Sequence, residues 1–188
     1  MNIIQSIDNT ILQFIQLHMR NTILDIAMPL ITSLGNKLTI WSIAGLILIA
    51  SNKYRKYGYM IIFSLLLCLI VGNFSLKPLV ARARPFDARP ILDVLLISPP
   101  KDFSFPSGHT MSSFASAVII YYMNRKAGIC ALILGILIGF SRLYLYVHYP
   151  SDVFAGAIIG GLIGGSTIFI FKEIKKKNIN KYYFKKEK

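Results

Sequence analysis

The chain has 188 residues, of which 54% are hydrophobic, and its mean hydropathy is +0.56. Its formal net charge of +13 would by itself suit a nucleic-acid-binding protein. The apolar residues, however, fall in blocks close to the roughly 20 residues that a helix needs to cross a bilayer, which excludes an ordinary soluble domain.

The first 20 residues predict an amphipathic helix. Its apolar residues lie near one another on one helical face, whereas Asn2, Gln5, Asn9 and Gln13 fall elsewhere. The apolar positions are Ile3, Ile4, Ile7, Ile11, Phe14 and Ile15. We expect this helix either to lie in the membrane interface or to pack on the rest of the protein.

Five apolar blocks follow, and each predicts a membrane span. The first, residues 22–51, is interrupted at 35–37 and is either one broken span or two short helices. The others cover residues 57–76, 105–123, 127–146 and 153–171. We therefore predict an all-α, polytopic transmembrane helical bundle of five spans, or six if the broken segment re-enters. Buried core helices of a soluble protein are the alternative, which the block lengths disfavour.

Basic residues are concentrated in alternate connections, at 52–56, at 124–126 and in a C-terminal tail that holds eight lysines from residue 172 onward. The positive-inside rule places these segments in the cytoplasm, so no nucleic-acid partner is expected. We divide the chain into an amphipathic helix (1–20), a transmembrane domain (21–172) and a basic cytoplasmic tail (173–188).

The connection from residue 77 to 104 then lies on the outer side of the membrane, although it too is basic. Its basic residues are Lys77, Arg82, Arg84, Arg89 and Lys101. Basic residues on that side suggest an anionic ligand. Arg82 and Arg89 could steer such a ligand or could be plain loop charges.

Two similar tripeptides begin predicted helices at the same side, Pro106-Ser107-Gly108 and Pro150-Ser151-Asp152. Each serine is an N-cap candidate, and the unpaired N–H groups of a helix N-terminus suit a phosphate. Two of the three histidines, His109 and His148, stand at these starts. Arg142 lies roughly two turns deeper and needs an anionic partner in an apolar setting.

Together these residues resemble the three-part signature of the type 2 phosphatidic acid phosphatase superfamily, which includes lipid phosphate phosphatases and vanadium-dependent haloperoxidases. The matching segments are Lys77-x6-Arg84-Pro85, Pro106-Ser107-Gly108-His109 and Ser141-Arg142-x5-His148-x3-Asp152. Every signature position is present and in order.

The resemblance implies a role for each residue. His148 would be the nucleophile that forms a phosphohistidine, Asp152 would orient it, and His109 would be the general acid and base. The predicted phosphate-binding groups are Lys77, Arg84, Ser107, Gly108 and Arg142. Three fixed cations can take the place of a metal ion, so neither a metal nor a cofactor is expected.

The substrate implied by the resemblance is a lipid phosphate that stays in the bilayer. The short chain and the run Lys77 to Phe86 look like those of bacterial undecaprenyl-diphosphate phosphatases, which act at the outer face of the plasma membrane. Phosphatidylglycerophosphate, phosphatidic acid and lipid A are alternative substrates, and transfer to a lipid acceptor is an alternative reaction. A non-enzymatic membrane subunit and a vanadate-holding oxidative enzyme are the alternatives from other classes.

Glycines recur along the last predicted span, at positions 156, 160, 161, 164 and 165. The spacing of 156, 160 and 164 favours close helix packing inside the bundle, with a homodimer contact as the alternative.

Overall fold

The computed structural model describes residues 3–90 and 95–186, with side chains placed for all of these except residue 37 and residues 178–186. Regular structure in the described ranges is entirely helical. The α-helices are α1 (Ile3–His18), α2 (Thr22–Leu34), α3 (Thr39–Ala50), α4 (Arg55–Cys68), α5 (Lys77–Val80), α6 (Pro85–Ala88), α7 (Gly108–Met123), α8 (Arg125–Tyr144) and α9 (Pro150–Lys186).

Within the described residues, three helical runs are long and apolar enough to cross a membrane. They are Arg55–Ala88, Arg125–Tyr144 and Pro150–Lys177. The pair α2 and α3, bent by 45° between Leu34 and Thr39, adds a fourth if it is one broken span. The all-helical class is thus confirmed, while the count of five to six spans stays a prediction.

Helix α7 is the centre of the bundle, where it packs against α4, α8 and α9. It has 16 residues and begins at Gly108, three residues later than the apolar block predicts. Four serine and threonine side chains are among its buried residues, so neighbouring helices rather than lipid cover most of its surface.

Glycines allow α9 to approach the backbone of α7. A Cβ atom at Gly160 would lie 2.1 Å from the carbonyl oxygen of Met111. Those at Gly156 and Gly164 would each lie 2.7 Å from a carbonyl oxygen, of the α7 N-cap Ser107 and of Ala115 in α7 respectively. A Cβ atom at Gly161 would have no neighbouring atom within 4 Å. The close packing predicted from the glycine spacing is therefore present within the chain, and a homodimer stays a prediction.

The directions of the helices define two ends of the bundle. The helical run Arg55–Ala88, which starts with α4 and which we call the α4 run, ends at the same end of the bundle where α7 begins, α8 ends and α9 begins. We call this end the site end. The connections at 51–54 and 124 and the basic residues between 172 and 177 lie at the opposite end. All the motif residues thus gather at one end, and the basic connections at the other.

Helix α1 lies across the site end. Its buried residues are Asp8, Leu12 and Ile15, and Leu12 packs on Tyr146 and Tyr149. Apart from Ile15, the isoleucine-rich face predicted from the sequence is exposed. The helix therefore packs on the protein through a different face and leaves an apolar one free, and its placement in a membrane interface stays a prediction.

Candidate active site

A pocket of about 510 Å³ opens at the site end between α2, the α4 run, α7 and α8. Six of the eight predicted site residues line it: Lys77, Arg84, Gly108, His109, Arg142 and His148. Its deeper wall is apolar and includes Leu38, Cys68 and Leu69. The other two predicted residues, Ser107 and Asp152, are fully buried outside its lining.

Lys77 and Arg84 reach the pocket because the α4 run is irregular. A π-helical segment, Leu69–Leu76, precedes Lys77. Helix α5 ends at Val80, and the next residue, Ala81, has a left-handed backbone with φ 46°. The chain leaves the helix there and continues through Arg84 into α6. Both cationic side chains are buried, at 6% and 2% exposure.

A carboxylate that the sequence analysis did not single out occupies the space between these two cations. Asp102 accepts a hydrogen bond from Lys77 Nζ and another from Arg84 Nη2, at 2.6 Å. Partial burial opposes ionisation of Asp102, but the bond and charge of Lys77 and the charge of Arg84 outweigh it and hold its pKa at about 2. Asp102 therefore binds the donors that a phosphate oxyanion would need.

Arg142 is the third cation, and it lies at the end of α8 with 3% exposure. Its Nη1 donates to Thr32 Oγ1 of α2 at 2.6 Å, whereas its buried Nε has no hydrogen-bond partner in the described part of the chain. An unsatisfied buried donor costs about 1–3 kcal/mol. An oxyanion in the pocket would satisfy it.

His148 lies in the turn between α8 and α9, and its partners fix its tautomer. Arg84 Nη1 lies 3.2 Å from His148 Nε2, and a guanidinium can only donate, so Nε2 is the acceptor and the proton sits on Nδ1. Burial, with the positive charges of Arg84 and Arg142, lowers the pKa of His148 below 6.5. The ring is thus neutral, and its lone pair is on Nε2, where it accepts from Arg84.

Asp152 stands behind His148, with Oδ2 3.6 Å from His148 Nδ1. The same carboxylate accepts bonds from Ser104 Oγ at 2.5 Å, from the Tyr149 N–H at 2.9 Å and from Arg82 Nη1 at 2.6 Å. It is completely buried, so these donors replace the water that would otherwise solvate it. Its position suits orientation of the histidine and stabilisation of positive charge on it.

His109 is in the first turn of α7, opposite the break between α2 and α3. Its Nε2 lies 3.0 Å from Asn36 Oδ1. A Cβ atom on Gly35 would lie 2.6 Å from His109 Cδ2, so the break leaves room for the ring only with glycine at this position. The interruption of the apolar block at 35–37 thus lies beside a predicted catalytic residue.

Ser107 caps α7 rather than facing the pocket. Its Oγ accepts from the Thr110 N–H at 3.5 Å and lies 2.9 Å from Thr110 Oγ1, and its own N–H donates to the Asp152 carbonyl at 3.1 Å. Its phosphate-binding role stays a prediction. Ser151, expected to cap α9, is instead the second residue of that helix, because α9 begins at Pro150.

The sequence analysis missed several residues of this end. Arg82, expected there either to steer the ligand or to be a plain loop charge, binds Asp152, and its position between Lys77 and Arg84 was the available signal. Ser104, Asp102, Thr32 and Asn36 carried no distinctive pattern. Among the described residues, no group of three or more histidine, cysteine or acidic side chains could hold a metal ion.

Three buried cations, a buried histidine and a partly exposed one lie together at one end of a helical fold, an arrangement suited to phosphoryl transfer. The chain belongs to the PAP2 superfamily, whose family model matches residues 53–176, more than half of the sequence. The resemblance drawn from the motifs is confirmed, and the protein is a hydrolase of this superfamily located in a membrane.

Three similar proteins were found. An undecaprenyl-diphosphatase of Sulfolobus acidocaldarius is 32% identical over 66% of this chain, which spans 60% of that relative. The undecaprenyl-diphosphatase BcrC of Bacillus subtilis is 30% identical over 82% of this chain and 78% of its own length. The crystal structure of a transmembrane PAP2-type phosphatidylglycerolphosphate phosphatase from Bacillus subtilis superposes with a TM-score of 0.74 at 28% identity, covering 94% of this chain and 88% of that one.

Proposed function

We propose that this protein hydrolyses the terminal phosphate of undecaprenyl diphosphate at the outer face of the plasma membrane, through a phosphohistidine on His148. The observation that carries the proposal is the convergence of Lys77, Arg84 and Arg142 on a pocket that His148 and His109 also line. The two relatives named as undecaprenyl-diphosphatases support the choice of substrate.

In the first step, His148 Nε2 attacks the terminal phosphorus, and the bond from that phosphorus to the bridging oxygen breaks. The leaving group is undecaprenyl phosphate. Positive charge that develops on the imidazole is stabilised by Asp152, whose Oδ2 lies 3.6 Å from Nδ1. The three cations bind the equatorial phosphoryl oxygens, where charge accumulates in the transition state.

His109 serves both halves of the reaction. As the imidazolium it donates a proton to the departing bridging oxygen and becomes neutral. It then accepts a proton from the water that attacks the phosphohistidine, which releases inorganic phosphate and restores the imidazolium. Asn36 Oδ1, 3.0 Å from His109 Nε2, holds that N–H until the leaving oxygen replaces it. The proton balance therefore closes over one cycle, with His109 returned to its starting state.

The proposed orientation places the site end outside the cell and the C-terminus in the cytoplasm. The support is the charge distribution, because the connections at 51–54 and 124 and the lysines between 172 and 177 lie at the opposite end. Single cysteines at Lys53 and Arg89, tested in intact cells with a membrane-impermeant maleimide after removal of native cysteines, decide it. Labelling at 89 alone supports the proposal, and labelling at 53 alone contradicts it.

The decisive experiment measures phosphate release by detergent-purified protein in excess EDTA. The lipid panel contains undecaprenyl diphosphate, phosphatidylglycerophosphate, phosphatidic acid and lipid A. His148→Ala should abolish release, and His18→Ala, which removes an exposed histidine of α1, should leave it unchanged. A strict need for Mg²⁺, or full activity of His148→Ala, would refute the mechanism.

Phosphatidylglycerophosphate is the second candidate substrate, because the chain superposes over most of its length on a phosphatase of that specificity. The substrate with the highest kcat/KM in the panel decides between the two. Addition of an acceptor lipid separates hydrolysis from phosphotransfer, since transfer would move labelled phosphate to the lipid at the expense of free phosphate. Acid-labile, base-stable labelling of the protein would identify the phosphohistidine, and its loss in His148→Ala would locate it.

A further inference from the structure

A buried carboxylate on the amphipathic helix α1 contacts the catalytic end of the bundle. Asp8 is 2% exposed, although α1 is otherwise a peripheral helix. Its Oδ1 accepts from the Ser151 N–H at 2.9 Å, and its Oδ2 accepts from Ser151 Oγ at 2.5 Å. Asp8 thus binds the first turn of α9, the same turn that carries Asp152.

Arg82 joins Asp8 to Asp152. Its Nη2 donates to Asp8 Oδ2 at 2.7 Å and to Gln5 Oε1 at 2.8 Å, and its Nη1 donates to Asp152 Oδ1 at 2.6 Å and to Ser151 Oγ at 2.7 Å. The guanidinium also lies 4.0 Å from the centroid of the Tyr149 ring. Each of its terminal nitrogens therefore faces one carboxylate, which a planar fork permits and an ammonium does not.

The charges explain why this arrangement matters to the site. Asp8 and Asp152 are both buried acids, and Arg82 is the cation that lies between them. If Arg82 were neutral, two close carboxylates would repel, and one would take up a proton. A protonated Asp152 would no longer stabilise positive charge on His148.

Arg82 is not part of the pocket lining, so it contacts Asp152 rather than the substrate phosphate. We propose that Asp8 and Arg82 form a positioning pair that seats α1 on the site end and holds Asp152 ionised and oriented toward His148. The peripheral helix α1 then contributes to catalysis through the position and charge of Asp152. This inference rests on the proposed roles of His148 and Asp152.

The test compares Arg82→Gln, Arg82→Lys and Asp8→Asn with Arg89→Gln, a matched change at an exposed arginine of the same segment. Activity is measured on short-chain phosphatidic acid, so that it does not depend on the identity of the physiological lipid. A misplaced catalytic group can cost about 100-fold, and we expect kcat to fall by about 10- to 100-fold in Arg82→Gln. KM and inhibition by orthovanadate should stay within about twofold of wild type, because the pocket cations are untouched.

Two further readouts separate positioning from general damage. Arg82→Lys should recover part of kcat, and Asp8→Asn combined with Arg82→Gln should cost no more than Arg82→Gln alone, since the two residues act as one pair. Deuterium uptake of residues 3–15 should rise in Asp8→Asn and Arg82→Gln but not in Arg89→Gln. This exchange measurement does not need turnover.

The outcomes discriminate between the two proposals. If the wild-type protein hydrolyses no lipid phosphate, the proposed function fails, and deuterium exchange alone decides whether Asp8 and Arg82 seat α1. If vanadate affinity falls in parallel with kcat, Arg82 supports the whole fold and the positioning role is overturned. Unchanged kcat in Arg82→Gln, or α1 protected equally in every variant, overturns it as well.

Discussion

Replacing Asp102 by asparagine tests whether this carboxylate competes with phosphate for the cations of the pocket. In the structure its two oxygens take one donor each from Lys77 and Arg84. A bound phosphoryl group needs these donors, so Asp102 must move away when the substrate arrives. Asparagine keeps the shape of the side chain and removes the charge that holds it there.

The expected gain in oxyanion affinity follows from the two hydrogen bonds that Asp102 accepts and from the exposure of its side chain. A hydrogen bond to a charged group is worth about 1.5–3 kcal/mol when shielded and 0–1 kcal/mol at the surface. The Asp102 side chain is 49% exposed, so we take the low end for the pair of bonds, about 1.4 kcal/mol. That free energy corresponds to about a tenfold tighter binding of a competing oxyanion.

The assay is inhibition by orthovanadate at pH 7.5 in detergent, with Asp87→Asn as the control because Asp87 is an exposed acid of the same connection. We expect the vanadate Ki to fall about tenfold in Asp102→Asn and to stay unchanged in the control. Since the pKa of Asp102 is held at about 2, the difference should persist across pH 5–8. Equal or weaker vanadate binding in Asp102→Asn would show that the carboxylate organises the cations instead of competing for them.

Three other predictions address the cations, the nucleophile and the packing. Arg142→Ala should lower kcat/KM by about 100-fold or more, as the loss of a donor to a transition-state oxyanion does. Arg89→Ala should lower kcat/KM less than threefold. A larger loss in Arg89→Ala than in Arg142→Ala would show that the phosphate site has been assigned to the wrong residues. Burial lowers the pKa of His148 below 6.5, so just below pH 6.5 the unfolded chain binds more protons than the folded one, and the melting temperature should fall as the pH drops through that region. His148→Ala should reduce the dependence of the melting temperature on pH. An equal dependence in the variant would contradict the lowered pKa of His148. Gly160→Ala should destabilise the protein by about 1–3 kcal/mol through overpacking against α7. Gly161→Ala, where the added methyl group would lie in open space, should leave the melting temperature in detergent unchanged. Equal melting temperatures of the two variants would refute the contact between α7 and α9.

The motif residues were predictable because each stands where a helix begins or ends. Residue type, order and spacing were enough to select Lys77, Arg84, His109, Arg142 and His148, and the bundle brings all five to one pocket. The break at 35–37 was also predictable from the sequence, since polar residues and a glycine interrupt an apolar block. Local chemistry determines these features, so a linear pattern can reveal them.

The supporting contacts were not predictable, because they join segments far apart along the chain. Thr32 binds Arg142 across 110 residues, and Asp8 binds Ser151 across 143. No spacing rule relates such positions. The face of α1 that packs on the protein was not predictable either, because periodicity identifies an apolar face but does not say whether lipid or protein covers it.

The pocket reaches from the cations down to Leu38, Cys68 and Leu69, and Cys68 stands nine residues before Lys77, roughly 13 Å along a helix. A phosphate on an acyl or prenyl chain can therefore meet the cations while its chain still lies beside apolar helix surface. The quantity that sets the encounter rate is then the density of substrate within the leaflet. Diluting the lipid with inert detergent should slow turnover at constant bulk concentration, and enlarging the assay volume should not.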